Sequence, residues 1–231
     1  METGELNIIY EDNHIIVVLK PQMIACCPDE SGGENLLDTV KAYLKQAYNK
    51  PGNAYAGLIH RLDRPTGGVM VFAKTSKAAA RLSEQLRSGG FEKKYLAVLC
   101  GVPNKKSATL ENYLRKNSVN NTVYVCTQTE EGAKYASLSY RIEGEAAGLS
   151  LAKITLHTGR THQIRVHAKY LRHPVVGDSV YGVKRQKFKL EGQLLHACRL
   201  TFVHPVSGEE LTFEAPLPDY FLSVLAKLKE I

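Results

Sequence analysis

Residues 60–75 read HRLDRPTGGVMVFAKT. One carboxylate, Asp63, stands between Arg61 and Arg64. A Pro65-Thr66-Gly67-Gly68 turn follows, and then the apolar run Val69–Ala73. An apolar run without alternation, entered from a glycine turn, predicts a buried strand. The acid ahead of it has two readings. Neighbouring arginines favour its ionised form, and a fixed, ionised carboxylate is a competent nucleophile. The same pattern also describes a solvated ion-pair loop. The glycines add that a ligand could approach the backbone closely.

The chain on either side of this stretch has the same texture. IIVVLKP, ending at Pro21, predicts a buried strand stopped by proline. Leu36, Leu37, Val40, Tyr43, Leu44 and Ala47 recur at helical spacing over 36–48. A second helix is expected from Lys77 to the Gly89-Gly90 stop, with Ser76 as its N-cap. KKYLAVLCG reads as a strand, and 108–156 as several antiparallel strands, with clear alternation in ASLSYRI and AKITLHT. THQIRVHAKYLR predicts a helix, LLHACRLTFVHP with EELTFEAP a hairpin, and PDYFLSVLAKLK a closing helix. Strand runs with few helices favour an α+β fold built on a largely antiparallel sheet.

Composition narrows the partners. The chain has 231 residues, a formal charge of +7 and five cysteines, one pair of them adjacent. An odd cysteine count without CxxC argues against a disulfide framework or a zinc site, and predicts reduced thiols. Excess positive charge predicts a polyanionic partner, RNA or DNA ahead of an acidic membrane. No apolar run approaches the roughly 18 residues that span a bilayer, and METGELNIIYEDNHIIVV carries acids where a signal peptide is basic. A soluble cytoplasmic protein is expected.

The second chemistry-bearing stretch is HTGRTHQIRVHAKYLRHPVVGD, residues 157–178. A helix starting near Thr161 would put His162, Arg165, Lys169 and Arg172 on one face, and Ile164, Ala168 and Leu171 on another, toward the core. TGRT would then offer free backbone N–H groups beside Arg160, a phosphate site. An ordinary solvated basic face reads equally well. His162 and His167 are five apart, without an acid nearby, which is not a metal spacing. The chain has no P-loop and no GxGxxG, so nucleotide cofactors are not indicated. Tyr95, opening its strand after Lys93-Lys94, is either a core tyrosine or a base-stacking one. The basic segment 184–189 is either a substrate loop or solvated surface.

Taken in order, YEDNHIIVVLKP, GLIHRLDRPTGGVMVFAKT, FEKKYLAVLCG, HTGRTHQIRVHAKYLRHPVVGDSVYG and LLHACRLTFVHP make the chain resemble the RluA-type family of RNA pseudouridine synthases over nearly its whole length. The resemblance implies a mixed, mainly antiparallel sheet, bent around a central cleft and flanked by helices. It implies one catalytic domain over 1–231, without an N-terminal RNA-binding appendage. It makes Asp63 the carboxylate acting at the sugar of a target uridine, by attack on the anomeric carbon or by removal of a sugar proton. Tyr95 would stack on the base and help deprotonate carbon 5, and Arg165 would pair with Asp63. Substrate contacts are expected from Lys20, His60, Arg61, Leu62, Arg64, Arg160, His162 and Ile164. Arg61 would fill the place of the flipped uridine. The partner would be rRNA or tRNA, with no cofactor and no metal, and the enzyme a monomer. The turn departs from the family's Thr-Ser-Gly, because Gly67 replaces the serine.

Overall fold

The computed structural model describes residues 6–30, 32–183 and 188–229. The chain divides into two compact units. One is formed by residues up to Phe91 together with Arg199–Ala215. The other is formed by Glu92–Cys198 and the segment from Pro216.

The first unit begins with β1 (Ile8–Glu11) and β2 (Ile15–Lys20), followed by α1 (Leu36–Ala47), β3 (Gly57–Leu58), β4 (Gly67–Ala73) and α2 (Ser76–Arg87). β4 is buried at every position, which is why its sequence shows no alternation. It pairs antiparallel with β2 in a register that sets Ile16 against Phe72 and Lys20 against Gly68. That register delivers the 60–66 loop next to the end of β2. α1 starts at Asn35, whose side chain accepts the Asp38 N–H. For α2 the expected cap shifts by one residue: Thr75 caps the helix by accepting the Ala78 N–H at 3.1 Å, and Ser76 is its first residue. Either hydroxyl can cap, and the extended backbone of Thr75 decides. The core of this unit joins Ile15, Val17, Val69 and Val71 to Ala78 and Leu82 of α2 and to Phe91.

The second unit holds β5 (Glu92–Cys100), β6 (Ser107–Lys116), β7 (Val123–Cys126), β8 (Lys134–Ala146), β9 (Leu149–Leu156) and α3 (Gln163–Tyr170). Its strands run in the order β5-β9-β8-β6-β7, each neighbour antiparallel to the next. β10 (Leu195–Val203) carries the boundary between the units, and β11 (Glu210–Glu214) forms the expected hairpin with it in the first. α4 (Asp219–Lys229) closes the chain and packs Phe221 and Val224 against Val98, Leu149 and Leu194. The fold is α+β, a mixed sheet with flanking helices. The part of the basic segment at 184–187 lies outside the described residues.

α3 corrects the amphipathic reading. It starts at Gln163, and His162 caps it in the left-handed region at φ 53°. Arg172 lies past its end, at φ 65°. Residues 163–168 are all buried, Arg165 among them. The helix therefore has no solvated face bearing Arg165, and a buried cation needs a built partner.

Candidate active site

The loop carrying Asp63 has few ladder bonds of its own, so side chains from the preceding strand and loop hold it. Lys20 ends β2 and is only 2% exposed. Its ammonium donates to the carbonyls of Pro21 (2.9 Å), Arg64 (3.1 Å) and Thr66 (2.8 Å). Burial pulls Lys20 down to about 8, outweighing the opposing influence of Cys26 and Asp63, and Arg64 adds to the lowering. The Cys26 thiol donates to the Leu62 carbonyl at 3.1 Å and accepts the Leu62 N–H at 3.3 Å. Burial pushes this thiol up. The Arg64 carbonyl also accepts the Met23 N–H at 2.8 Å, and Arg64 Nε donates to the Met23 carbonyl at 3.1 Å. Thr66 N–H closes the turn on the Asp63 carbonyl at 2.8 Å. His60 Nε2 accepts the Val71 N–H at 3.3 Å, tying the start of the loop to β4. The backbone on both sides of Asp63 is thus fixed, its side chain is half-buried, and Arg61 and Arg64 are exposed.

In the second unit, Tyr95 is buried on β5 opposite Ile154 of β9. Arg165 is held by Asp178 in a two-pronged pair, Nε to Oδ2 at 2.7 Å and Nη2 to Oδ1 at 2.8 Å. Asp178 Oδ1 also accepts the N–H groups of Val180 and Tyr181, each at 2.9 Å. Burial pushes the Asp178 carboxyl up, but Arg165 and these two N–H groups outweigh it and hold it below the ordinary carboxylate range. The Arg165 guanidinium lies over the Tyr181 ring, 5.0 Å from its centroid.

The TGRT turn is locked from below. Gln163 Oε1 accepts from Thr158 Oγ1 at 2.8 Å and from the Arg160 N–H at 2.9 Å, and Gln163 Nε2 donates to the Ser137 carbonyl at 3.0 Å. Arg160 Nε donates to the Tyr135 carbonyl at 2.8 Å. The expected phosphate site is corrected to this extent: the Arg160 N–H is taken by Gln163, while the Arg160 side chain is exposed. At Gly159 a Cβ would come within 3.3 Å of Lys93 Nζ, so the glycine makes room for that amine. Burial lowers the pKa of Lys93.

The residues of the chain from 14 to 170 match the sequence profile described as RNA pseudouridylate synthase. A ribosomal large subunit pseudouridine synthase D from Vibrio cholerae is 34% identical over 97% of this chain and 71% of its own length. An uncharacterized RNA pseudouridine synthase from Bacillus subtilis is 36% identical over 94% of this chain and 70% of its own. The chain belongs to the RNA pseudouridylate synthase family. Two solved structures share the fold. Human RNA pseudouridylate synthase domain containing 4 superposes with a TM-score of 0.81 at 23% identity, covering 96% of this chain and 93% of that one. Human RNA pseudouridylate synthase domain containing 1 gives 0.73 at 24%, covering 100% and 97%.

Within this pseudouridylate synthase fold the expected site residues divide between the units. His60, Arg61, Leu62, Asp63 and Arg64 lie on one loop pinned by Lys20 at the end of β2, and Tyr95, Arg160, His162, Ile164 and Arg165 stand on β5 and around α3. Leu62 and Ile164 are buried, and Lys20 spends its ammonium on backbone carbonyls. Sequence reading missed Cys26, Gln163, Asp178 and Tyr181. Asp178 had a signal, an acid in HPVVGD just downstream of a basic helix. Cys26 and Gln163 act through hydrogen bonds to backbone, and Tyr181 through its ring under Arg165, none of which leaves a charge pattern to read.

Proposed function

We propose that this chain is the catalytic domain of an RNA pseudouridine synthase in which Asp63 acts at the sugar of the target uridine. The observation that carries the reading is the pinned HRLD loop: its backbone is tied down on both sides of one half-buried carboxylate. A carboxylate so held loses little freedom on reaching the reacting geometry. Either attack on the anomeric carbon or removal of a sugar proton frees the uracil, which turns and rejoins through carbon 5. Tyr95 stacks on the base and takes part in removing the carbon-5 proton. Arg165, held in place by Asp178, is the residue that pairs with the reacting carboxylate. The reaction moves bonds within the substrate and balances without an external oxidant, reductant or phosphoryl donor.

The target is a uridine in structured RNA, in rRNA or tRNA. Similarity to ribosomal large subunit pseudouridine synthases favours the large ribosomal subunit. Arg160 and His162 contact the RNA near the TGRT turn, and Arg61 and Arg64 beside the Asp63 loop. Lys20, His60, Leu62 and Ile164 act by holding the elements that bear them. The enzyme works as a monomer in the cytoplasm. Pseudouridine mapping of ribosomal and transfer RNA, in cells with and without the gene, tests this. A site lost on deletion, restored by wild type and left unrestored by Asp63→Asn, is the expected result. Restoration by Asp63→Asn would remove Asp63 from the chemistry.

A further inference from the structure

β5 sets two lysines side by side and treats them differently. Lys94 pairs with Glu92 of its own strand, Nζ to Oε1 at 2.9 Å. Lys93 projects to the other face, which it shares with Tyr95, because alternate residues of a strand point together. Lys93 is half-buried, and its ammonium has no hydrogen-bond or ion-pair partner among the described residues. Burial lowers its pKa, and no neighbouring charge offsets this.

The strand register brings a turn to this amine. Lys93 lies opposite Leu156, the last residue of β9, and the chain leaves β9 there into Thr158-Gly159-Arg160. A Cβ on Gly159 would meet one neighbour within 4 Å, Lys93 Nζ at 3.3 Å. Gln163 holds Thr158 and Arg160, on either side of Gly159, so the turn cannot step aside. Gly159 and Arg160 are exposed. The ammonium therefore ends against exposed backbone, where no side chain covers it. A partly desolvated cation without a partner costs stability, and a phosphate would supply the missing charge to this compact donor. We propose that Lys93 is a substrate-contacting residue whose ammonium binds a phosphate oxygen of the nucleotide stacked on Tyr95, with the RNA backbone approaching across Gly159. Lys93 and Tyr95 leave β5 two residues apart, roughly 6.6 Å, a separation that one nucleotide spans between base and phosphate. The inference rests on the pseudouridine synthase reading above for its ligand.

Fluorescence anisotropy of end-labelled bulk transfer RNA, measured across a salt series, reads the contact, because phosphate contacts carry no sequence information. Lys93→Met should weaken binding about tenfold at low salt and make the slope of log K against log salt shallower by about one. Lys153 is exposed on the opposite face, across from Leu96, and Lys153→Met should leave affinity and slope unchanged. Gly159→Ala pushes on the same amine and should weaken binding in the wild-type background, with no further loss in Lys93→Met, where the place of Nζ is empty. Removing an unpaired cation should leave Tm equal to wild type or higher. An unchanged slope in Lys93→Met would overturn the proposal. So would an equal loss in Lys153→Met, or a Gly159→Ala loss that adds in full to that of Lys93→Met. A Lys93→Met protein that unfolds or melts well below wild type would make Lys93 a structural support, and overturns the proposal as well. The expected slope change in a protein that makes no pseudouridine would keep the phosphate contact and discard the enzymatic reading, and pseudouridine formation with an unchanged slope would do the reverse.

Discussion

Asp178→Asn isolates the buried pair that holds Arg165. The two side chains are 4% and 0% exposed, so solvent offers neither a substitute partner. Asparagine has the same shape, and its oxygen can still take the Val180 and Tyr181 N–H groups that Oδ1 accepts now. Its NH2 would meet the Arg165 Nε–H, donor against donor, where a carboxylate accepts at 2.7 Å today. Breaking a buried ion pair by removing one partner costs about 3–5 kcal/mol. The retained N–H contacts put this variant at the lower end, about 3 kcal/mol, or roughly 6–12 °C in Tm for a chain of this size. Because the chain has no tryptophan, circular dichroism is the natural probe of unfolding. The pH dependence gives an independent check. The Asp178 pKa is lowered in the fold, so its contribution is complete above the reference value of 3.8 and is lost as pH falls through the lower folded value. The gap between wild type and Asp178→Asn should therefore close in strong acid. A loss under about 1 kcal/mol at pH 7, or a gap that stays constant into acid, would refute the claim that this pair is a buried, charge-dependent support.

Other substitutions probe separate supports. Cys26→Ala leaves the Leu62 N–H and carbonyl without their thiol partner and should lower kcat about tenfold at unchanged RNA affinity, with Cys26→Ser recovering most of it; equal kinetics for Ala and Ser would dismiss the thiol as a loop support. His167 is buried, without a hydrogen-bond partner among the described residues, and burial pulls it from 6.5 down to about 4. The unfolded chain thus binds a proton that the fold refuses between those values, so stability falls as pH drops from about 6.5 to about 4, by up to about 3 kcal/mol. His167→Leu should flatten that stretch of the stability curve, and an unchanged acid slope in urea melts would contradict it. Lys20→Arg keeps the charge but brings a planar fork where a compact ammonium reaches three carbonyls, and should reduce activity nearly as much as Lys20→Met; full activity in the arginine variant would show that charge alone suffices. Arg61→Ala should reduce turnover on folded RNA more than on an unstructured oligonucleotide, because only the former requires a base to leave its stack, and comparable losses on both would argue against an inserting role.

Much of the fold was legible because burial and chain punctuation agree. β2 and β4 are uninterrupted apolar runs bounded by Pro21 and by Gly67-Gly68, and both are strands at the expected places. α1 follows from helical spacing and α2 from its cap and its Gly89-Gly90 stop, and the one-residue error at the α2 cap arises because Thr75 and Ser76 are both able to cap. The 157–178 stretch misled for a physical reason. Polar residues at three- and four-residue steps usually mark a solvated face, but Arg165 is carried inside by Asp178, thirteen residues later and across a turn. Sequence periodicity registers the helix's own pattern and is blind to a partner brought from another loop. β1 and β3 are too short for any period to show.

The same reasoning explains why the loop of Asp63 was legible as chemistry and illegible as structure. The segment that carries Asp63 is not part of a strand, so its carbonyls need donors other than a sheet ladder. The β2–β4 register places Lys20 opposite Gly68, where the loop rejoins the strand, and an ammonium there can reach Arg64 and Thr66 together. A neutral donor at that position could satisfy fewer carbonyls, and a longer cation would overshoot them. Cys26 serves Leu62 on the other side of Asp63, with one small atom acting as both donor and acceptor. The rigidity that a reacting carboxylate requires is thus supplied by buried polar contacts to backbone. Such contacts leave the apolar pattern intact, and for that reason Lys20 and Cys26 read in sequence as a strand end and an unremarked thiol.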